Sequence, residues 1–201
     1  MERRIATIIS YLFHPLLMPT YGLFLFFYLD KHASYFLPFE IKRTLVIMTL
    51  CFTFVLPVLN AFILLRLKII RSLDMHTREE RRLPLLITAI FYFSQYYLLH
   101  EAEVSSTLKL LMLIAIISIT LTIIINVFWK ISAHMIGIGG ITGMAIILCS
   151  LFNTPAAVVL PLLFLVAGIV GYARLTLEAH RPAEVYAGFA LGLLCPMVFL
   201  F

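Results

Sequence analysis

Long apolar runs separated by short polar stretches set the pattern of this chain. The first run follows a basic start at residues 1–4 and reaches about Tyr28, ending at Asp30. Its charge layout is that of a signal peptide, but the apolar part is too long and lacks a small-x-small cleavage site, so it reads as a retained transmembrane helix. Pro15 and Pro19 predict a bend in it, since proline removes a backbone hydrogen bond and clashes with the preceding turn, and His14 is expected to serve that bend or an internal polar contact. A loop over 31–43 leads to a second span over about 44–65, in which Pro57 and Asn60 read as helix-contact features.

A first polar island follows, with Arg66, Lys68, Arg71, Asp74, His76, Arg78, Glu79, Glu80, Arg81 and Arg82, closed by Pro84. The next apolar run, 85–99, is short: at about 1.5 Å per residue it falls below a hydrocarbon core of roughly 30 Å unless flanking residues extend the helix. A loop over 100–106 and a clear span over 108–128 lead to the second island, Trp129-Lys130-Ile131-Ser132-Ala133-His134. Two further runs, 135–152 and 155–172, are parted by the turn signal Asn153-Thr154-Pro155. The third island, 173–184, carries Arg174, Glu178, His180, Arg181 and Glu184, and the last run is 185–201. The pattern predicts one all-α domain over 1–201, a polytopic integral membrane bundle of about six to seven transmembrane segments.

Composition agrees. Only 12% of the residues are charged and the mean hydropathy is +1.07, against about 25% charged in soluble domains. Cys51, Cys149 and Cys195 lie inside apolar runs without short spacing, so they read as packing residues, with no disulfide frame or zinc site. The net charge of +5 does not form a soluble basic stripe with interleaved aromatics, which excludes a nucleic-acid partner and leaves juxtamembrane loops plus an anion site.

Parity then brings the islands together. Two spans separate the first island from the second and two separate the second from the third, so all fall on one membrane face. Pro182 disfavours helical geometry at Arg181 and suits a first helical turn, so the last span is expected to begin there. Glu184 then sits in the first turn, able to reach back and hold one ring nitrogen of His180. Ser132 stands at an N-cap position, with His134 in the following turn and Lys130 just ahead. Free amides and a positive helix end there suit an anion. With Arg174 and the arginines of the first island, this set supplies what a phosphate ester requires: cations for the oxygens, one histidine to attack and another to protonate the leaving group.

The third island resembles the third motif of the type 2 phosphatidic acid phosphatase superfamily, Ser-Arg, five residues, His, three residues, Asp. Here Ala173-Arg174, five residues, His180, three residues and Glu184 match the spacing. Ile131-Ser132-Ala133-His134 is similar to that family's Pro-Ser-Gly-His. Its first motif, Lys, six residues, Arg-Pro, is matched poorly: Arg82-Leu83-Pro84 has an inserted residue, and Met75 stands where lysine is expected. The resemblance covers about 78–188 and implies a phosphatase-like core over 78–201, with His180 as nucleophile forming a phosphohistidine, oriented by Glu184. It implies His134 as the acid and later the base for water. Arg174, Arg82 and Arg78 or Arg81 would hold phosphoryl oxygens with Ser132, and Lys130 would stand in for the missing lysine. No metal and no cofactor are implied.

These readings make a membrane phosphatase or phosphotransferase for a lipid phosphate the leading expectation. A non-catalytic relative that binds an anionic headgroup or a partner protein is the alternative, and a small transporter is a third reading, opposed by charges that gather at span ends. The expected partners are the lipid phosphate substrate and membrane lipids; oligomeric state is not readable. The expected location is a bacterial inner membrane. The resemblance favours a periplasmic site, although the motif-face loops hold more Lys and Arg, which by the positive-inside rule argues for the cytoplasmic face.

Overall fold

A computed structural model describes residues 1–75, 77–102, 104–154 and 156–198, without the side chains of 32–34. The described residues form ten α-helices: α1 (Glu2–Leu12), α2 (Met18–Leu29), α3 (Lys31–Phe36), α4 (Phe39–Leu50), α5 (Leu56–Arg66), α6 (Arg78–Glu101), α7 (Ser106–Phe128), α8 (Ala133–Leu151), α9 (Val159–Thr176) and α10 (Pro182–Met197). Taking α1 with α2, and α4 with α5, gives six helical spans long and apolar enough to cross a membrane, plus the shorter apolar helix α10. The architecture is the all-α polytopic bundle that the hydrophobic pattern predicts. His76 and Pro155 of the polar islands and turn signals lie outside the described residues.

The two compound spans are broken where proline dictates. Between α1 and α2 the chain makes a 3-10 turn at Pro15–Leu17, and His14 caps it by accepting the Leu16 N–H at Nδ1, 3.3 Å. Between α4 and α5 the helix widens into a π turn at Cys51–Val55 just before buried Pro57, which has no N–H to give the preceding turn. The short apolar run 85–99 spans because its helix starts earlier than the hydrophobic pattern suggests. Thr77 caps it, accepting the Glu80 N–H at 3.3 Å, and the charged first turns carry Arg78 to Arg82 within α6. Pro84, expected to close the island, lies buried inside this helix.

α8 is the centre of the bundle: 67% of its apolar window is buried, against 17–33% for the other spans. Its main neighbour is α10. Gly139 and Gly143 on α8 and Gly188 and Gly192 on α10, each pair four residues apart, all lie in the contact: Gly139 meets Gly192, Gly143 meets Leu193, and Gly188 meets Ser132 and Met135. A Cβ at Gly139 would overlap the Phe189 carbonyl, at Gly143 the Leu193 carbonyl, and at Gly192 the Ile136 carbonyl. Such backbone approach is the gain small residues give in a membrane, where apolar burial alone does not drive helices together. Toward the opposite membrane face a second packing centre forms around Phe26, Leu29, Tyr92, Leu99, Met112 and Leu148.

Candidate functional site

Four segments meet at one end of the bundle: the first helix and the loops after α5, α7 and α9, as parity requires. Contacts join them directly. Arg78 donates to the Phe128 carbonyl at 2.6 Å, Asn126 to the Arg78 carbonyl at 2.9 Å, Lys130 Nζ to the Ala179 carbonyl at 3.1 Å, and the Ser132 N–H to the Glu184 carbonyl at 3.3 Å. At the rim, Arg3 pairs with Glu178 at 2.6 Å, an exposed contact.

Local structure fixes the third island. α9 ends in a paired turn: the Glu178 N–H bonds the Leu175 carbonyl at 2.9 Å and the Ala179 N–H bonds the Arg174 carbonyl at 3.2 Å. This closure places Glu178 in the left-handed region, φ 53°, a position usually given to glycine. The chain reverses and α10 starts at Pro182, with Arg181 extended ahead of it at φ −82°, ψ 156°. Glu184, in the first turn, accepts the Arg181 N–H at 3.3 Å and meets His180 Nδ1 at 2.8 Å through the same oxygen. With the carboxylate ionised, Nδ1 is the donor and the imidazole lone pair lies on Nε2. Both side chains are buried, His180 to 1% exposure.

The surroundings of this pair are cationic. Burial, then repulsion from Arg81, Arg174 and Lys130, holds His180 down at about 3, although the Lys130 carbonyl favours its protonated form. The imidazole is therefore neutral at physiological pH. Burial, then Arg81, also lowers Lys130, with Glu184 acting in the other sense and Arg174 adding repulsion. Arg81 is held by the Met75 carbonyl at Nε, 3.0 Å, and the Ile131 carbonyl at Nη1, 3.4 Å. Arg174 Nη1 donates to Ser10 Oγ at 3.1 Å. Arg174 Nε and Ser132 Oγ are buried with no partner among the described residues.

Other nominated residues take different positions. Ser132 sits at the N-cap of α8, fully buried, but its hydroxyl does not cap the helix; its carbonyl begins the helix by accepting the Ile136 N–H at 3.0 Å. Arg78 is spent on the last carbonyls of α7, Val127 and Phe128, where a cation complements the helix end. Arg82 is exposed, whereas Arg81 is part-buried. Arg81, rather than Arg82, is the arginine of the first island turned to His180. His134 points to α1: its Nε2 lies 3.1 Å from the Ser10 carbonyl and its ring meets His14 edge-on at 5.6 Å. Ser10, which touches both Arg174 and His134, was not anticipated, although a lone serine inside an apolar run is a readable sign of a polar contact within the bundle.

No family model, curated protein or solved structure matches the chain. Among the described residues, no three His, Cys, Asp or Glu side chains gather as metal ligands.

Proposed function

We propose that the chain is a membrane phosphohydrolase or phosphotransferase that acts on a lipid phosphate through a phosphohistidine at His180. One observation carries the reading: Arg81, Lys130 and Arg174 surround a buried neutral histidine oriented by a carboxylate, with Arg174 Nε and Ser132 Oγ buried and unpartnered among the described residues. A phosphoryl group offers acceptor oxygens to both and negative charge to all three cations. Its position at a bundle end with little structure above it favours a lipid phosphate, such as phosphatidic acid, phosphatidylglycerol phosphate or an isoprenyl diphosphate.

In the first step the Nε2 lone pair of His180 attacks phosphorus, the bond to the leaving oxygen breaks, and that oxygen takes a proton that His134 must first acquire along with the bound anion. Arg81, Arg174 and Lys130 counter the charge that builds on the phosphoryl oxygens. In the second step water attacks the phosphohistidine, gives its proton to His134, and releases phosphate with His180 restored. Glu184 keeps the His180 ring in the required tautomer and orientation. His134 must turn from the Ser10 carbonyl to reach the leaving oxygen. That contact is the one observation favouring the alternative, a non-catalytic relative that binds an anionic headgroup. The membrane proposed is a bacterial inner membrane, with this end of the bundle periplasmic.

Purified protein assayed for phosphate release from a panel of lipid phosphates tests the reading. Wild type is expected to turn over without loss to a chelator and to be inhibited by vanadate, and His180→Ala and His134→Ala to be inactive. Equal release by wild type and His180→Ala overturns the catalytic reading. Turnover lost to the chelator overturns the metal-independent one. Cysteine accessibility mapping of 31–43, in a background lacking the native cysteines, reports the side on which the site lies.

A further inference from the structure

A long apolar cavity runs through the bundle; the residues of the charged cluster do not line it, but it starts beside them. Its lining begins at Ala133, between Ser132 and His134, and at Leu85, one turn beyond Arg81, and runs to Leu99 and Leu108 near the opposite face. Along α6, Leu85 to Leu99 covers about 21 Å at ~1.5 Å per residue, longer than one leaflet of a core of roughly 30 Å. The cavity's few polar lining residues are Thr49, Thr88, Tyr92, Gln95, Ser118 and Thr122. Gln95 is 1% exposed and lines the cavity; its Nε2 donates to Thr49 Oγ1 at 2.7 Å, while Oε1 has no partner among the described residues. An acceptor so placed, with no water in the hydrocarbon region to satisfy it, favours any ligand that brings a donor to it.

We propose that the cavity binds the single hydrocarbon chain of an amphiphile whose phosphate sits at the Arg81–Arg174–His180 cluster, and that Gln95 selects a chain bearing a hydroxyl partway along its length. The cations of the neighbouring cluster select the headgroup, the apolar walls the chain, and Gln95 Oε1 accepts the chain hydroxyl. Gln95 lies ten residues beyond Leu85, about 15 Å into the cavity, so the donor belongs to the chain and not to the headgroup linkage. The headgroup part of this assignment rests on the function proposed above; the chain part does not.

The test is binding of purified wild type, in mild detergent, to a series of long-chain monoalkyl phosphates in which one hydroxyl is moved along the chain. Affinity is expected to peak about tenfold above the unsubstituted chain at one interior position, the gain of one hydrogen bond to a buried acceptor. Gln95→Leu is expected to remove the peak and keep affinity for the unsubstituted chain. Equal affinity at every hydroxyl position in wild type overturns the proposal even if Gln95→Leu does not fold, and so does a peak that survives Gln95→Leu. The matching long-chain diols, which lack phosphate, separate the two readings. A Gln95-dependent peak with diols and no preference for the phosphates supports the cavity and overturns the phosphate site. A preference for the phosphates without a peak does the reverse.

Discussion

The contact between α8 and α10 holds the two halves of the site in register, and adding one methyl group tests it. Gly192→Ala puts a Cβ into the Ile136 carbonyl and within 2.8 Å of the Gly140 nitrogen. Both are backbone atoms of the facing helix, so no rotamer change relieves the clash and the helices must separate. Overpacking of this kind costs about 1–3 kcal/mol, while alanine in a helix interior gains about 0.5–1 kcal/mol over glycine, leaving a net loss of up to about 2.5 kcal/mol. Gly168→Ala in α9 is the matched control, since nothing lies within 4 Å of the added Cβ. The helix-propensity gain is common to both variants and cancels in their difference, so the gap of about 1–3 kcal/mol is the cost of moving α8 from α10. Reversible unfolding in mild detergent, followed by circular dichroism, measures it. Gly139→Ala strikes the same contact and is expected to add less than its own cost to Gly192→Ala, because helices once separated accommodate both methyl groups. If Gly192→Ala and Gly168→Ala unfold together, the close glycine approach is wrong.

Three further outcomes are expected. His180 is depressed to about 3 in the fold against about 6.5 unfolded, so the unfolded chain binds the extra proton between those values. Stability is then lost as pH falls from about 6.5 to about 3, with a slope of up to about 1.4 kcal/mol per pH unit, and His180→Gln is expected to flatten that slope in unfolding titrations. Glu178→Gly is expected to stabilise by about 0.5–1 kcal/mol in the same assay, since glycine adopts the left-handed turn without strain and the exposed pair to Arg3 adds little; a loss of stability refutes the turn geometry. Arg81→Met is expected to weaken vanadate binding at least tenfold while Arg82→Met leaves it unchanged, and the opposite ranking would reassign the phosphate arginine.

The spans were legible because a helix that crosses a membrane needs an unbroken apolar run, and the start of α10 because proline and a first-turn carboxylate write their geometry locally. The His180–Glu184 pair followed from four-residue spacing across that start. The start of α6 was hidden, because its first turns are charged and only the Thr77 cap marks it. Arg78, Arg81 and Arg82 sit within five residues of one another, and spacing cannot say which faces inward; that depends on where the end of α7 collects Arg78 and where Ile131 receives Arg81. The direction of His134 is set by Ser10, well over a hundred residues away in the chain. The glycine pairs were readable as two Gly-x-x-x-Gly repeats in apolar runs, but which helices they join is a tertiary fact.

The same cations serve assembly and charge. Arg81 ties the loop before α6 to the loop before α8, and Lys130 ties that second loop to the turn after α9. Each donates to main-chain carbonyls that would otherwise end near the membrane unpaired, which offsets part of the cost of holding a positive charge at the bundle end. Arg78 gives Nη1 to two carbonyls in this way. Arg174 differs: one nitrogen reaches Ser10 and another is buried with no partner among the described residues, as is the Ser132 hydroxyl. A chain with so few charges gains nothing in stability from such an arrangement, because an unpaired buried donor costs more than an apolar side chain of the same size. Its retention at the point where four segments converge on a neutral, oriented histidine is what makes an anionic ligand the economical explanation of this end of the fold.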